Sequence, residues 1–63
     1  MELYDTEEQI ITLALEISNL MNKLVSAYVS SRGEADLTEL IRVIDRKYNY
    51  LKEHLHAKGL INV

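Results

Sequence analysis

The sequence predicts an all-α fold, an antiparallel two-helix hairpin that dimerises into a four-helix bundle. Three observations carry this expectation. Apolar residues recur at helical spacing through two long segments. Proline is absent, and the two glycines, Gly33 and Gly59, fall where those segments end. The first segment is also apolar around more of its circumference than a single partner helix covers.

The first helix is predicted over about 6–32. Its start signals are Asp5 and Thr6, with Glu8 and Gln9 three residues after each, so either pair suits a capping box. Acidic residues in this turn complement the positive end of the helix dipole. Ile10, Ile17 and Leu24 form one heptad column, and Leu13, Leu20 and Ala27 the next. Two further columns, Ala14/Met21/Tyr28 and Ile11/Ser18/Val25, continue the apolar surface, and Leu15 and Val29 widen it again. Only Thr12, Glu16, Asn19, Lys23, Ser26 and Ser30 make a polar strip. Gly33 is predicted to end the helix from the left-handed C′ position.

The second helix is predicted over about 37–58. Asp36 as N-cap and Glu39 at N3 read as a capping box. Leu37, Ile41, Ile44, Tyr48, Leu51 and Leu55 alternate in steps of four and three, as the seam of a left-handed helical pair does. Leu40, Val43, Tyr50 and Ala57 extend that face to one side. Gly59 at C′ predicts a Schellman ending that brings Leu60 and Leu55 together. Ile61 and Val63 form a short apolar tail. The connection around Gly33 to Asp36 is short, which makes the helices antiparallel neighbours within one domain over 1–63.

A hairpin has one internal interface, and helix 1 carries more apolar surface than helix 2 hides. A surface helix shows an apolar stripe somewhat wider than about 100°, and this one spans roughly twice that. Two hairpins about a two-fold axis close the excess simply. Ile11, Leu15, Met21, Val25 and Tyr28 are therefore the candidate partner or dimer interface. A chain of 63 residues is marginal alone, and with no cysteine it has no disulfide to staple it.

Composition narrows the chemistry. The net charge of −3, with both signs interspersed, argues against a strongly basic nucleic-acid or membrane-surface protein. Glu2, Asp5, Glu7 and Glu8 precede the apolar run where a secretory signal carries positive charge. Glu16 and Lys23 interrupt that run, so a soluble, cytoplasmic protein is expected, with no membrane partner. His54 and His56, two residues apart, point to different sides of a helix and do not chelate one ion. Glu16 and Asp45 are expected on outer faces of different helices, so no carboxylate pair converges. There is no phosphate loop and no nucleophile–base constellation, so neither enzymatic activity nor a cofactor is expected. Helix 2 does carry Arg42, Arg46, Lys47 and Lys52, an alternative nucleic-acid face, but Glu39, Asp45 and Glu53 are interleaved with them. Intrahelical ion pairs such as Glu39–Arg42 or Arg46–Glu53 account for the same charges. Tyr28, Tyr48 and Tyr50 are expected to pack at core or core-edge positions.

In length and layout the chain resembles the Rop family of plasmid RNA-binding proteins, short hairpins that dimerise into four-helix bundles. The resemblance is one of architecture, and it implies an RNA-binding alternative. Residues 16–51 also resemble the small sporulation aspartyl-phosphate phosphatases, helical hairpins with a Ser-Gln-Glu-Leu-Asp signature in the second helix. The matching stretch here is Ile41-Arg42-Val43-Ile44-Asp45, which keeps the final aspartate and an apolar residue before it but lacks the serine, glutamine and glutamate. That resemblance implies a role for Asp45 in acting on a response regulator. From the residues themselves, the expected function is a small non-enzymatic regulator, adaptor or inhibitor that binds itself and another protein through its helices.

Overall fold

A computed structural model describes residues 6–62 as two α-helices, α1 (Thr6–Ser30) and α2 (Thr38–Ala57). They pack against each other as an antiparallel hairpin, and no strand occurs among the described residues. The capping boxes expected at Asp5 and at the Thr6 side chain lie outside what is described, as does Val63. On α1, Ile10, Leu13, Ile17, Leu20, Leu24 and Ala27 are half-buried against α2. These are the two heptad columns that the periodicity singles out as the inner seam.

α1 ends earlier than Gly33 suggests. Its last helical residue is Ser30, and Arg32 takes the left-handed conformation at φ 57°. Arg32 N–H donates to the Val29 carbonyl at 3.1 Å and Gly33 N–H to the Tyr28 carbonyl at 2.9 Å. That is a Schellman ending with Arg32 at C′ and Gly33, itself at φ 81°, at C″. The shift follows from Ser31. Its hydroxyl accepts from the Ala35 N–H at 2.9 Å and the Glu34 N–H at 3.2 Å, turning the chain before Gly33 is reached. The Tyr28 ring lies over Gly33, close to where a β-carbon would stand.

The connection runs over residues 31–37. One Asp36 carboxylate oxygen accepts from the Thr38 N–H at 3.0 Å and the Thr38 hydroxyl at 2.6 Å. The aspartate thus satisfies an orphan donor of the first turn from one residue before the N-cap, Leu37. The return half of the expected capping box is absent, because the Glu39 carboxylate turns forward to Arg42. At the far end Gly59, φ 75°, donates to the His56 carbonyl and Leu60 N–H to the Leu55 carbonyl, both at 2.9 Å. This is the Schellman pattern expected there. Leu60 is nevertheless exposed, while Ile61 is half-buried.

The seam of α2 differs from the apolar reading. Leu37, Leu40, Ile44, Lys47, Leu51 and His54 alternate along the inner side, whereas Ile41 and Tyr48 are about half exposed. α2 is rotated by about one heptad column, roughly 50°, from the orientation its apolar residues alone define. The cause is polar. Lys47 Nζ donates to Glu16 Oε1 at 2.9 Å, and His54 Nε2 lies 2.8 Å from Gln9 Oε1. Both α1 partners occupy the column Gln9/Glu16, and reaching them turns Lys47 and His54 inward. Lysine tolerates the position because its alkyl stem covers apolar surface while its ammonium stays at the edge. A third tie, Lys58 Nζ to Glu7 Oε2 at 3.2 Å, closes the open end. Glu16 is thus a cross-helix partner, which corrects its expected outer position.

Three predictions concern the helix ends. Arg32→Gly relieves a left-handed strain of about 1–2 kcal/mol, more than glycine's extra unfolded-state entropy of about 0.5–1 kcal/mol, so the melting temperature rises by a few degrees. Gly59→Ala, with open space around its β-carbon, carries the same strain into the fold and lowers it. The two hydrogen bonds from Thr38, side chain first and backbone second, hold the Asp36 carboxyl below the ordinary aspartate range. Its contribution is therefore complete above about pH 4, the unfolded value, and is lost as pH falls through the depressed native one. Acid titration of helicity should show this loss in the parent chain and a reduced one in Asp36→Ala.

Candidate functional site

Among the described residues no side chain is buried. The large apolar residues of α1 outside its seam, Ile11, Leu15, Met21, Val25, Tyr28 and Val29, are between 47 % and 66 % exposed. One helix against one helix shields mainly two heptad columns on each; beyond them Glu16, Val43, Lys52 and Leu55 are half-buried, and the remaining helical residues face outward.

The antiparallel pairing sorts these residues by side. In such a pair, corresponding edges of the two helices lie on the same broad side of the hairpin. One side carries the polar edge, where the column Gln9/Glu16 meets Lys47 and His54. On the opposite side the α1 column Ala14/Met21/Tyr28 runs beside the α2 column Ile41/Tyr48/Leu55. The contacts of Glu16 with Lys47 and Gln9 with His54 also set the level: Met21 stands within a residue of Ile41, and Ala14 within a residue of Tyr48. Ile11 and Val25 continue the surface outward along α1. Ile11, Met21, Val25, Tyr28, Ile41 and Tyr48 therefore make one apolar face from both helices.

Four of the five interface residues expected from the sequence, Ile11, Met21, Val25 and Tyr28, share this face. Leu15 lies behind it, on the side of α1 away from α2, together with Val29. Ile41 and Tyr48 are the members that periodicity assigned to the hairpin's interior. The signal that locates them is Lys47, seven residues before His54 and able to reach a carboxylate on the facing helix. Tyr28, Tyr48 and Tyr50 are all exposed rather than packed, and Tyr50 belongs to the opposite broad side with Val43.

The four basic residues of α2 do not share one direction. Arg42 pairs with Glu39, three residues before it. Lys47 leaves the outer surface for Glu16. Lys52 Nζ sits 5.2 Å from the centre of the Tyr48 ring, a cation–π contact at the margin of the apolar face. Arg46 points outward among Glu39 and Glu53, and no Arg46–Glu53 ion pair forms among the described residues. His54 Nδ1 lies 2.8 Å from the Tyr50 carbonyl of its own helix, while the other ring nitrogen, Nε2, faces Gln9 across the seam. No group of three metal-binding side chains occurs among the described residues. Glu7–Ser30 is long and apolar enough to cross a bilayer by length and composition. Within it, Glu16 is tied to Lys47 of α2.

The fold and this face define an all-α helical hairpin with an uncovered apolar side. No family model, curated protein or solved structure matches the chain.

The Glu16–Lys47 pair, partly open to solvent, is expected to stabilise the hairpin by about 0.5 kcal/mol. Glu16→Gln should lower stability by that amount in low salt, with the difference shrinking as salt is added. Chemical denaturation of the two proteins measures it.

Proposed function

We propose that this protein is a small non-enzymatic regulator, adaptor or inhibitor that works by helix-mediated protein–protein binding as a homodimeric four-helix bundle in the cytoplasm. The observation that carries this reading is that no side chain among the described residues is buried, while both helices leave large apolar side chains about half exposed on one broad side of the hairpin. Six large side chains, each about half exposed, offer on the order of 600 Å² if each spans roughly 200 Å². A standard interface buries about 800 Å² per partner. One further hairpin stacked on this face supplies the missing core, and the outer face of α2 and the Leu15/Val29 ridge are left for another protein. The interleaved signs on α2 favour a protein partner over nucleic acid.

Light scattering after size exclusion is expected to give twice the 7.3 kDa chain mass, with strong helicity by circular dichroism. A monomer of low helicity at micromolar concentration would overturn the reading. Met21→Glu should weaken self-association by about 2–3 kcal/mol, since it buries an unpaired charge. Tyr50→Glu, on the opposite side, should leave the mass unchanged.

A further inference from the structure

Resting on the dimer just proposed, we infer its arrangement: a second copy seats on the apolar face with α2 antiparallel to the partner's α2, and Asp45 of each chain meets the partner's Lys52. The argument starts from what lies along the face. Facing a stacked neighbour, α1 presents Ile11, Ala14, Ser18, Met21, Val25 and Tyr28, spaced three and four apart. α2 presents Thr38, Ile41, Asp45, Tyr48, Lys52 and Leu55 in the same spacing. The α1 row is uncharged. The α2 row holds one acid and one base, seven residues apart.

Those two charges discriminate between the ways of stacking. If α1 covered the partner's α2, Asp45 and Lys52 would be pressed against Ile11, Ala14 and Ser18 with no counter-charge, and desolvated unpaired charges are strongly unfavourable. If α2 covers the partner's α2 in antiparallel fashion, an acid and a base on one row meet a base and an acid on the other. The two-fold axis then passes midway between them, beside Tyr48, and both pairs form at once. Both groups are available. Asp45 is exposed and has no hydrogen bond or ion pair among the described residues. Lys52 is held over the Tyr48 ring, which keeps its ammonium at the face. At the same level α1 carries Ala14, with Ser18 one turn on, small side chains that let the two α1 helices approach closely. Val25 and Tyr28 fall toward the margin of the contact.

Two single charge reversals test the arrangement. Asp45→Lys places lysines at both positions of the row and Lys52→Asp places acids at both, so each variant alone meets like charge. Each is expected to raise the dimer dissociation constant at least tenfold. Mixing the two should restore a dimer containing one chain of each, with an affinity within about threefold of the parent. Native mass spectrometry distinguishes the mixed dimer from either homodimer. Restoration is readable whether or not the single variants fold alone, because the mixture recovers helicity together with mass. If the parent is dimeric and the single reversals leave its affinity unchanged, this arrangement fails while the dimer stands. Weakened single variants that do not re-associate on mixing also overturn it. A monomeric parent removes both this inference and the reading beneath it.

Discussion

Two helices joined by a short connection have only one interface between them. In this chain that geometric limit governs everything else. An α-helix inside a globular domain is shielded by several neighbours, but α1 has α2 alone. The best-protected leucines and isoleucines of both helices therefore remain half-buried. Burial of apolar surface yields about 25 cal/mol per Å² removed from water, against a backbone ordering cost of about 1–2 kcal/mol per residue. A hairpin that leaves most of its side chains partly wet is poorly placed to offset that cost alone.

Within that limit, two polar contacts decide which apolar residues end up outside. Glu16–Lys47 and Gln9–His54 are individually weak, as partly exposed contacts are. Their importance is directional. α2 has apolar residues on either side of its seam, so burial alone differs little between two rotations about its axis. A lysine and a histidine that each find a partner on α1 select one of them. The selected rotation turns Ile41 and Tyr48 away from the interior and toward the side of α1 that carries Met21 and Tyr28. Polar residues inside the hairpin thereby assemble the apolar face outside it.

Much of this was legible in the residues, and the divisions have physical causes. The α1 seam is uniformly apolar at strict three–four spacing, so its inner face could be read directly. The Gly59 ending was readable because glycine, the preceding helical pattern and the Leu55/Leu60 pair agree. The α2 seam was not, since periodicity counts apolar residues and gives no weight to a lysine whose partner lies on another helix. The α1 ending was misplaced for a similar reason. Glycine is the ordinary marker of a left-handed position, whereas here the Ser31 hydroxyl turns the chain one residue sooner and Arg32 accepts the strained conformation. The excess of apolar surface on α1 was visible from its columns, but its union with Ile41 and Tyr48 depended on a rotation that only cross-helix contacts determine.

α1 thus carries two three–four rows offset by one residue, one facing α2 and one facing outward. That is the pattern of a helix with two neighbours. α2 has the same pair of rows, but its outward row is interrupted by Asp45 and Lys52. The two helices consequently differ in what they bring to an assembly. An uncharged row on α1 supplies non-directional attraction and tolerates sliding, because apolar contacts are roughly proportional to area. A row with one acid and one base is intolerant of sliding, because any register that separates them leaves charges desolvated. Attraction from one helix and register from the other is an economical division for so short a chain. In the dimer proposed above, folding and pairing would be coupled: with so little shielded inside a single hairpin, stability would rise with chain concentration.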